Sequence, residues 1–237
     1  MSRYTYDDLK SIMSRLRKDC PWDRVQTHES LRGAIIEEVY EFADAVDRHN
    51  IQDMCEELGD VLMLTVLHSV IAEESGTFTG DDVINCICRK MISRHSHVFG
   101  EDKVQNAEQA IALWEANKKS EKANTGVTDA LRSVPLSLPA LLRAQKVQSR
   151  AEKAGACPCP DTTEPTEYIK GIADIISQLQ VANATHLSDL TSLVGNILWH
   201  ISNFSRIYKI NAEFALTNTI ETFITRHETG EDARYTK

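Results

Sequence analysis

Residues 29–48 read ESLRGAIIEEVYEFADAVDR, and residues 52–74 read QDMCEELGDVLMLTVLHSVIAEE. Their apolar positions recur at steps of three and four, the period of an α-helix rather than a strand. Each helical residue advances ~100°, which gathers Leu31, Ile35, Val39, Phe42 and Val46 into one stripe. Glu38 lies at the edge of that stripe, with Glu41 and Glu37 just beyond it. Glu38 and Glu41 are three apart and share a face. In the second stretch Glu57 and Asp60 share a face with Val61, Leu64, His68 and Ile71. That face is otherwise apolar and is expected to point inward, where unpaired carboxylates are unfavourable. If the two helices form an antiparallel hairpin, the two acidic pairs approach one another. Their repulsion then calls for a cation, and a set of hard oxygen donors suits Mg2+ or Mn2+.

Acidic residues on helices are more often a solvated face, or partners of the helix dipole near an N-terminus. Two paired sets on consecutive helices, each edging an apolar stripe, depart from that pattern. A di-iron bundle site calls for Glu-x-x-His pairs. No histidine in the sequence has an acidic residue three positions before it.

The same period extends outward through an all-α chain of 237 residues. Helices are expected near 5–18, 80–93 and 107–122, and again near 138–153, 166–181, 186–208 and 211–227. Strand-like alternation bounded by turn pairs is missing. Gly126, Pro135 and Pro139 mark a connection, and Gly155 to Pro165 reads as a second loop. The chain therefore reads as two tandem helical units: a first domain over 1–122, a linker over 123–137 and a second domain over 138–237.

Composition narrows the function classes. The net charge is −9, and the acid excess lies in the first 137 residues, with 24 Asp+Glu against 16 Lys+Arg. Stable nucleic-acid binding is not expected of such a surface. No apolar run reaches membrane-spanning length, and the polar N-terminus lacks a signal-peptide stretch, so a cytoplasmic location is expected. The six cysteines form no Cys-x-x-Cys pair, and a disulfide scaffold is not expected at this size. Cys157-Pro158-Cys159 reads as a loop with two free thiols.

The Glu-Glu-x-x-Glu and Glu-x-x-Asp pattern resembles the MazG family of all-α nucleoside triphosphate pyrophosphohydrolases. Cys20-Pro21-Trp22-Asp23 with Gln26-Thr27-His28 is similar to that family's N-terminal signature. Arg94-His95-Ser96-His97-Val98-Phe99 is similar to the segment closing its helical core, with Ser96 where proline is usual. Leu136-Ser137-Leu138-Pro139-Ala140-Leu141 with Ala144-Gln145-Lys146 resembles the joint between tandem repeats.

The resemblance implies a MazG-like helical bundle, a homodimer, and hydrolysis of (deoxy)nucleoside triphosphates to monophosphate and pyrophosphate in nucleotide-pool housecleaning. It implies Glu38, Glu41, Glu57 and Asp60 as ligands of Mg2+, with Mn2+ as substitute. Glu37 would orient a ligand or help activate water. Lys90 and Arg94 match a Lys-x-x-x-Arg pair that contacts phosphates. Trp114 and Lys118 match a Trp-x-x-x-Lys pair that borders the nucleotide, and Trp22 joins the substrate-binding set. His95 and His97 read as structural.

In the second half the corresponding acids are gone. Lys170-Gly171-Ile172-Ala173-Asp174 stands for Glu-Glu-x-x-Glu, and Leu193-Val194-Gly195-Asn196 for Glu-x-x-Asp. Thr222 falls at the phosphate-lysine position, while Arg226 survives. The second unit is expected to be folded and catalytically silent. The competing expectation is a nucleotide-sensing or helical interaction module with little or no turnover.

Overall fold

The computed structural model describes residues 3–121, 126–156, 169–174, 176–177 and 187–229. Among them every regular element is helical. The chain forms two compact units, Met1–Glu121 and Lys122–Lys237. The expected loop thiols Cys157 and Cys159 lie outside the described residues.

The first unit contains α1 (Tyr6–Asp19), a 3-10 turn (Asp23–Val25), α2 (His28–Asp47), α3 (Ile51–Glu74), α4 (Gly80–Arg94), the single turn α5 (Ser96–Phe99) and α6 (Ala107–Ser120). Small polar residues fix the helix starts. Thr5 accepts from the Asp8 amide at 3.3 Å, Thr27 from Ser30 at 3.2 Å and Thr79 from Asp82 at 3.2 Å. Each N3 side chain returns a bond to its cap, closing a capping box. Asn50 caps α3 through the amides of Gln52 and Asp53. His49, with φ 55°, reverses the chain between α2 and α3, giving the antiparallel hairpin that carries both acidic motifs.

Met13, Leu31, Leu64, Val66, Leu67 and Val70 form the core of this unit, with Tyr6, Leu9, Ile35 and Met63 packed around it. Arg17 is buried beneath it. Its guanidinium donates to both Glu74 oxygens (3.1 and 2.6 Å), to the Gln26 carbonyl (3.0 Å) and to the Asp23 carbonyl. One arginine thus ties α1, the 3-10 turn and the end of α3 together. The α2 stripe is only partly inward: Leu31 is buried, Ile35 and Phe42 are half-buried, and Val39 and Val46 are exposed. The helix carries apolar side chains on a second side as well, including Ile36 and Tyr40, which are exposed.

The second unit contains α7 (Val127–Arg132), α8 (Ala140–Lys153), helical residues 169–174, α9 (Leu187–Ile207) and α10 (Ala212–Glu228). The segment read as a linker carries α7 and buries Val134. Arg150 on α8 holds it through the Ala130 carbonyl at 3.0 Å and the Ser133 hydroxyl. Gly126 and the two prolines punctuate that segment without preventing a short amphipathic turn between them.

Among the described residues of this unit, Gln145, Gln148, Ser202, Asn203 and Ser205 are buried beside Val134, Ala151 and Ala212. Gln148 donates to the Trp199 carbonyl at 2.8 Å, tying α8 to α9. Gln145 donates to the Ile210 carbonyl at 2.7 Å and accepts from the Ala212 amide at 3.2 Å. It therefore staples the joint between α9 and α10.

Candidate active site

The hairpin turn sets the register of α2 against α3, and that register brings three carboxylates together. Glu38 and Glu41 from α2 and Glu57 from α3 each offer an oxygen within 4.8 Å of the others. Glu38 and Glu57 are half-buried, and Glu41 is exposed. Desolvation, and then the charges of Asp60 and Glu41, push the Glu38 carboxyl above its ordinary range. Desolvation and the charges of Glu41 and Glu38 do the same to Glu57. Like charges in a partly dry place favour the protonated form.

Asp60 lies one turn further along α3. Its charge acts on both glutamates, but its oxygens stand outside the close set of three. Glu37 is exposed and reaches Glu38 only through its charge. The face holding Glu57 and Asp60 is half-buried rather than fully inward, because the apolar core ends near Leu64, beyond their end of the helix.

A second cluster forms where α4 meets α6. Arg94 is buried, with its guanidinium carbon 5.2 Å from the centre of the Trp114 ring. The Lys118 ammonium lies 4.6 Å from the same ring, so two cations share one aromatic surface. Arg94 donates from Nε (3.0 Å) and Nη2 (2.7 Å) to one oxygen of Glu121. The Ser93 hydroxyl donates to the other oxygen at 2.7 Å. These bonds and the charges of Arg94 and Lys90 hold the Glu121 carboxyl below its usual range. Lys90 is half-buried. Asn117 donates to the Ser96 hydroxyl at 2.9 Å, a bond that a proline at position 96 has no group to accept.

Trp22 is 62% exposed and precedes the 3-10 turn, where Arg17 holds the Asp23 and Gln26 carbonyls. His95 bonds the Met91 carbonyl through Nδ1 at 2.7 Å, closing the end of α4. Sequence reasoning missed Glu121, which reads as one more charge on a solvated helix end. It also missed a histidine pair. His28 Nδ1 lies 2.8 Å from His68 Nδ1, with rings 5.1 Å apart and 6° from parallel. The only signal for it was His68 on an apolar face.

In the second unit the positions matching the acidic motifs fall on helical residues 169–174 and on α9. Lys170, Asp174 and Asn196 are exposed. Gly171 lies beside the His200 ring, about which a Cβ would sit 3.9 Å from Nδ1. Among the described residues the three-carboxylate cluster occurs only in the first unit.

A family model for the MazG nucleotide pyrophosphohydrolase domain matches residues 26–99, which span the hairpin and α4. The chain is 37% identical over 96% of its length to the nucleoside triphosphate pyrophosphohydrolase/pyrophosphatase MazG of Thermotoga maritima, covering 86% of that protein. It is 34% identical over 92% of its length to the nucleoside triphosphate pyrophosphohydrolase of Escherichia coli, covering 83% of it. It is 41% identical over 93% of its length to the uncharacterized protein YabN of Bacillus subtilis, but spans only 45% of that longer protein. The fold and the hairpin define an all-α protein with paired acidic helices. The chain belongs to the MazG family.

Proposed function

We propose that this chain hydrolyses (deoxy)nucleoside triphosphates to nucleoside monophosphate and pyrophosphate, in a Mg2+-dependent, nucleotide-pool housecleaning role. The observation that carries this reading is the convergence of Glu38, Glu41 and Glu57 from two helices of a MazG hairpin. The residues fit the ion. Donors ~2.1 Å from Mg2+ lie at most ~4.2 Å apart, and the carboxylate oxygens already lie within 4.8 Å of one another before any cation draws them in.

Glu38, Glu41 and Glu57 would hold the cation, with Asp60 from the next turn of α3 as the fourth ligand that the family motif implies. Mn2+ is the expected substitute. When bound, the cation neutralises phosphate charge and makes a water more acidic. Glu37 would orient a ligand or help to activate water. Lys90 and Arg94 offset charge on the phosphates. Trp114 and Lys118 border the nucleotide, and Trp22 offers an exposed aromatic face to it.

The chain acts as a homodimer in this reading. Ile36, Val39 and Tyr40 on α2 and Leu58 and Leu62 on α3 are exposed in the single chain, and a second copy of the hairpin covers them. No described helix is long and apolar enough to cross a membrane, and the proposed compartment is the cytoplasm. Residues 1–122 form the catalytic domain, and 138–237 a degenerate copy without its own cation site.

The test is pyrophosphate release from a panel of nucleoside and deoxynucleoside triphosphates with Mg2+. Glu38→Gln and Asp60→Asn should each remove turnover while the helical circular dichroism persists. Folded wild-type protein without metal-dependent turnover on any member of the panel sinks the reading. The lost acids of the second unit favour one alternative, nucleotide sensing, which predicts tight calorimetric binding with no product.

A further inference from the structure

The Arg94 guanidinium is held along one edge only. Nε and Nη2 both donate to a single oxygen of Glu121. Trp114 lies against its face. Ser93 fixes the other Glu121 oxygen, and Glu121 itself ends α6, its backbone N–H bonded to the carbonyls of Asn117 and Lys119. The donors not taken by Glu121 are those of Nη1 and the second hydrogen of Nη2. They lie on the end edge of the fork, the edge that binds two oxygens of a phosphate side by side. A long side chain with many rotamers is thereby reduced to one orientation before any anion arrives.

We propose that Glu121 is a positioning residue for substrate binding: through its clasp on the Nε edge, it presents the end edge of Arg94 to the phosphates of the nucleotide. Glu121 touches no substrate in this arrangement and acts only through Arg94. The inference rests on the reading of Arg94 as a phosphate-binding residue. It adds the residue that makes Arg94 effective and the edge that does the binding.

Charge-assisted bonds are about twice as strong as neutral ones, so Glu121→Gln loosens the clasp while keeping its shape. The measurement is steady-state hydrolysis of a nucleoside triphosphate with Mg2+, with product inhibition by pyrophosphate read in parallel. The expected result for Glu121→Gln is a KM raised about tenfold and a pyrophosphate inhibition constant raised with it, while kcat changes less than about threefold. Glu121→Asp, which keeps the charge, should restore part of the loss. Ser93→Ala removes only the bond to the far oxygen, and should shift KM less in the same direction. It keeps the test open if Glu121→Gln does not fold.

Arg94→Ala separates the two ideas. If it leaves KM and pyrophosphate inhibition unchanged, the underlying reading of Arg94 fails. If Arg94→Ala shifts both and the folded Glu121→Gln and Ser93→Ala proteins shift neither, the positioning role of Glu121 is overturned while Arg94 stands. A fall in kcat alone for Glu121→Gln also overturns it.

Discussion

Glu38 on α2 and Glu57 on α3 face each other across the hairpin, with Glu41 in the same 4.8 Å cluster. Both carboxyls are pushed up by partial burial and then by neighbouring acids. An acidic cluster of this kind opposes folding when no cation is bound and stabilises the fold when one is. Glu57→Gln relieves repulsion, so it should raise the melting temperature in chelator. The same change should remove most of the stabilisation that Mg2+ gives the wild type, about 2.7 kcal/mol at a concentration a hundredfold above Kd. Thermal melts of both proteins in EDTA and in Mg2+ check this. Equal Mg2+ gains in the two proteins would count against the cluster as the cation site.

The His28 and His68 rings lie parallel, with their Nδ1 atoms 2.8 Å apart. That contact needs one nitrogen to donate and the other to accept, so both rings cannot be charged comfortably. Burial and then the charge of His28 hold His68 below its ordinary value of 6.5. Above 6.5 both folded and unfolded chains have a neutral His68, and the pairing contributes in full. As pH falls below 6.5, the unfolded chain takes up a proton that the folded chain resists, and that contribution is lost. Urea denaturation at pH 7.5 and 5.5 should show a larger fall for wild type than for His68→Phe. The difference between the two proteins cancels titration of the acidic cluster, and identical falls would remove the pair from the pH response.

The sequence legibly encoded what is repetitive. Helical period placed α2 and α3, and the spacing of Glu38, Glu41 and Glu57 placed them on facing sides. What it hid depends on neighbours far along the chain. Glu121 meets Arg94 across 27 positions, and His28 meets His68 across 40; neither pair has a period to announce it. Asp60 carries the right residue type at the right spacing, yet stands a turn away from the close set. The buried glutamines of α8 were invisible for another reason. Nothing beside Gln145 and Gln148 in the sequence marks them as inward-facing; their bonds to the carbonyls of Ile210 and Trp199 explain why they are buried.

Arg17 and Glu74 form an uneven pair, the arginine side chain 9% exposed and the carboxylate 48%. Removing the two partners should therefore have unequal consequences. Arg17→Ala leaves the Asp23 and Gln26 carbonyls and a core-side gap without their donor, a loss of about 3 kcal/mol. Glu74→Ala leaves the buried guanidinium with its two carbonyls and lets water take the half-exposed place of the carboxylate, and should lower stability by a smaller amount, about 1–2 kcal/mol. Chemical denaturation of the two variants measures the asymmetry. Equal losses would show that the ion pair, rather than the carbonyl clasp, holds the turn after α1.

Gln145 offers a way to perturb the second unit alone. Its amide satisfies both the Ile210 carbonyl and the Ala212 amide at the joint of α9 and α10. Gln145→Leu fills a similar volume but leaves the buried Ala212 amide and the part-buried Ile210 carbonyl without their partner, at about 1–3 kcal/mol for the first and less for the second. The local loss should therefore be about 3 kcal/mol. Hydrogen exchange should speed up for amides in α8, α9 and α10. Protection of α2 and α3 should stay at the wild-type level, because the acidic hairpin draws its core from Leu31, Leu64, Leu67 and Val70. If the second unit is catalytically silent, Mg2+-dependent turnover per folded molecule should also be unchanged under conditions where the variant stays folded. A fall in turnover that tracks the loosening of α9 and α10 would instead assign the second unit a part in the reaction.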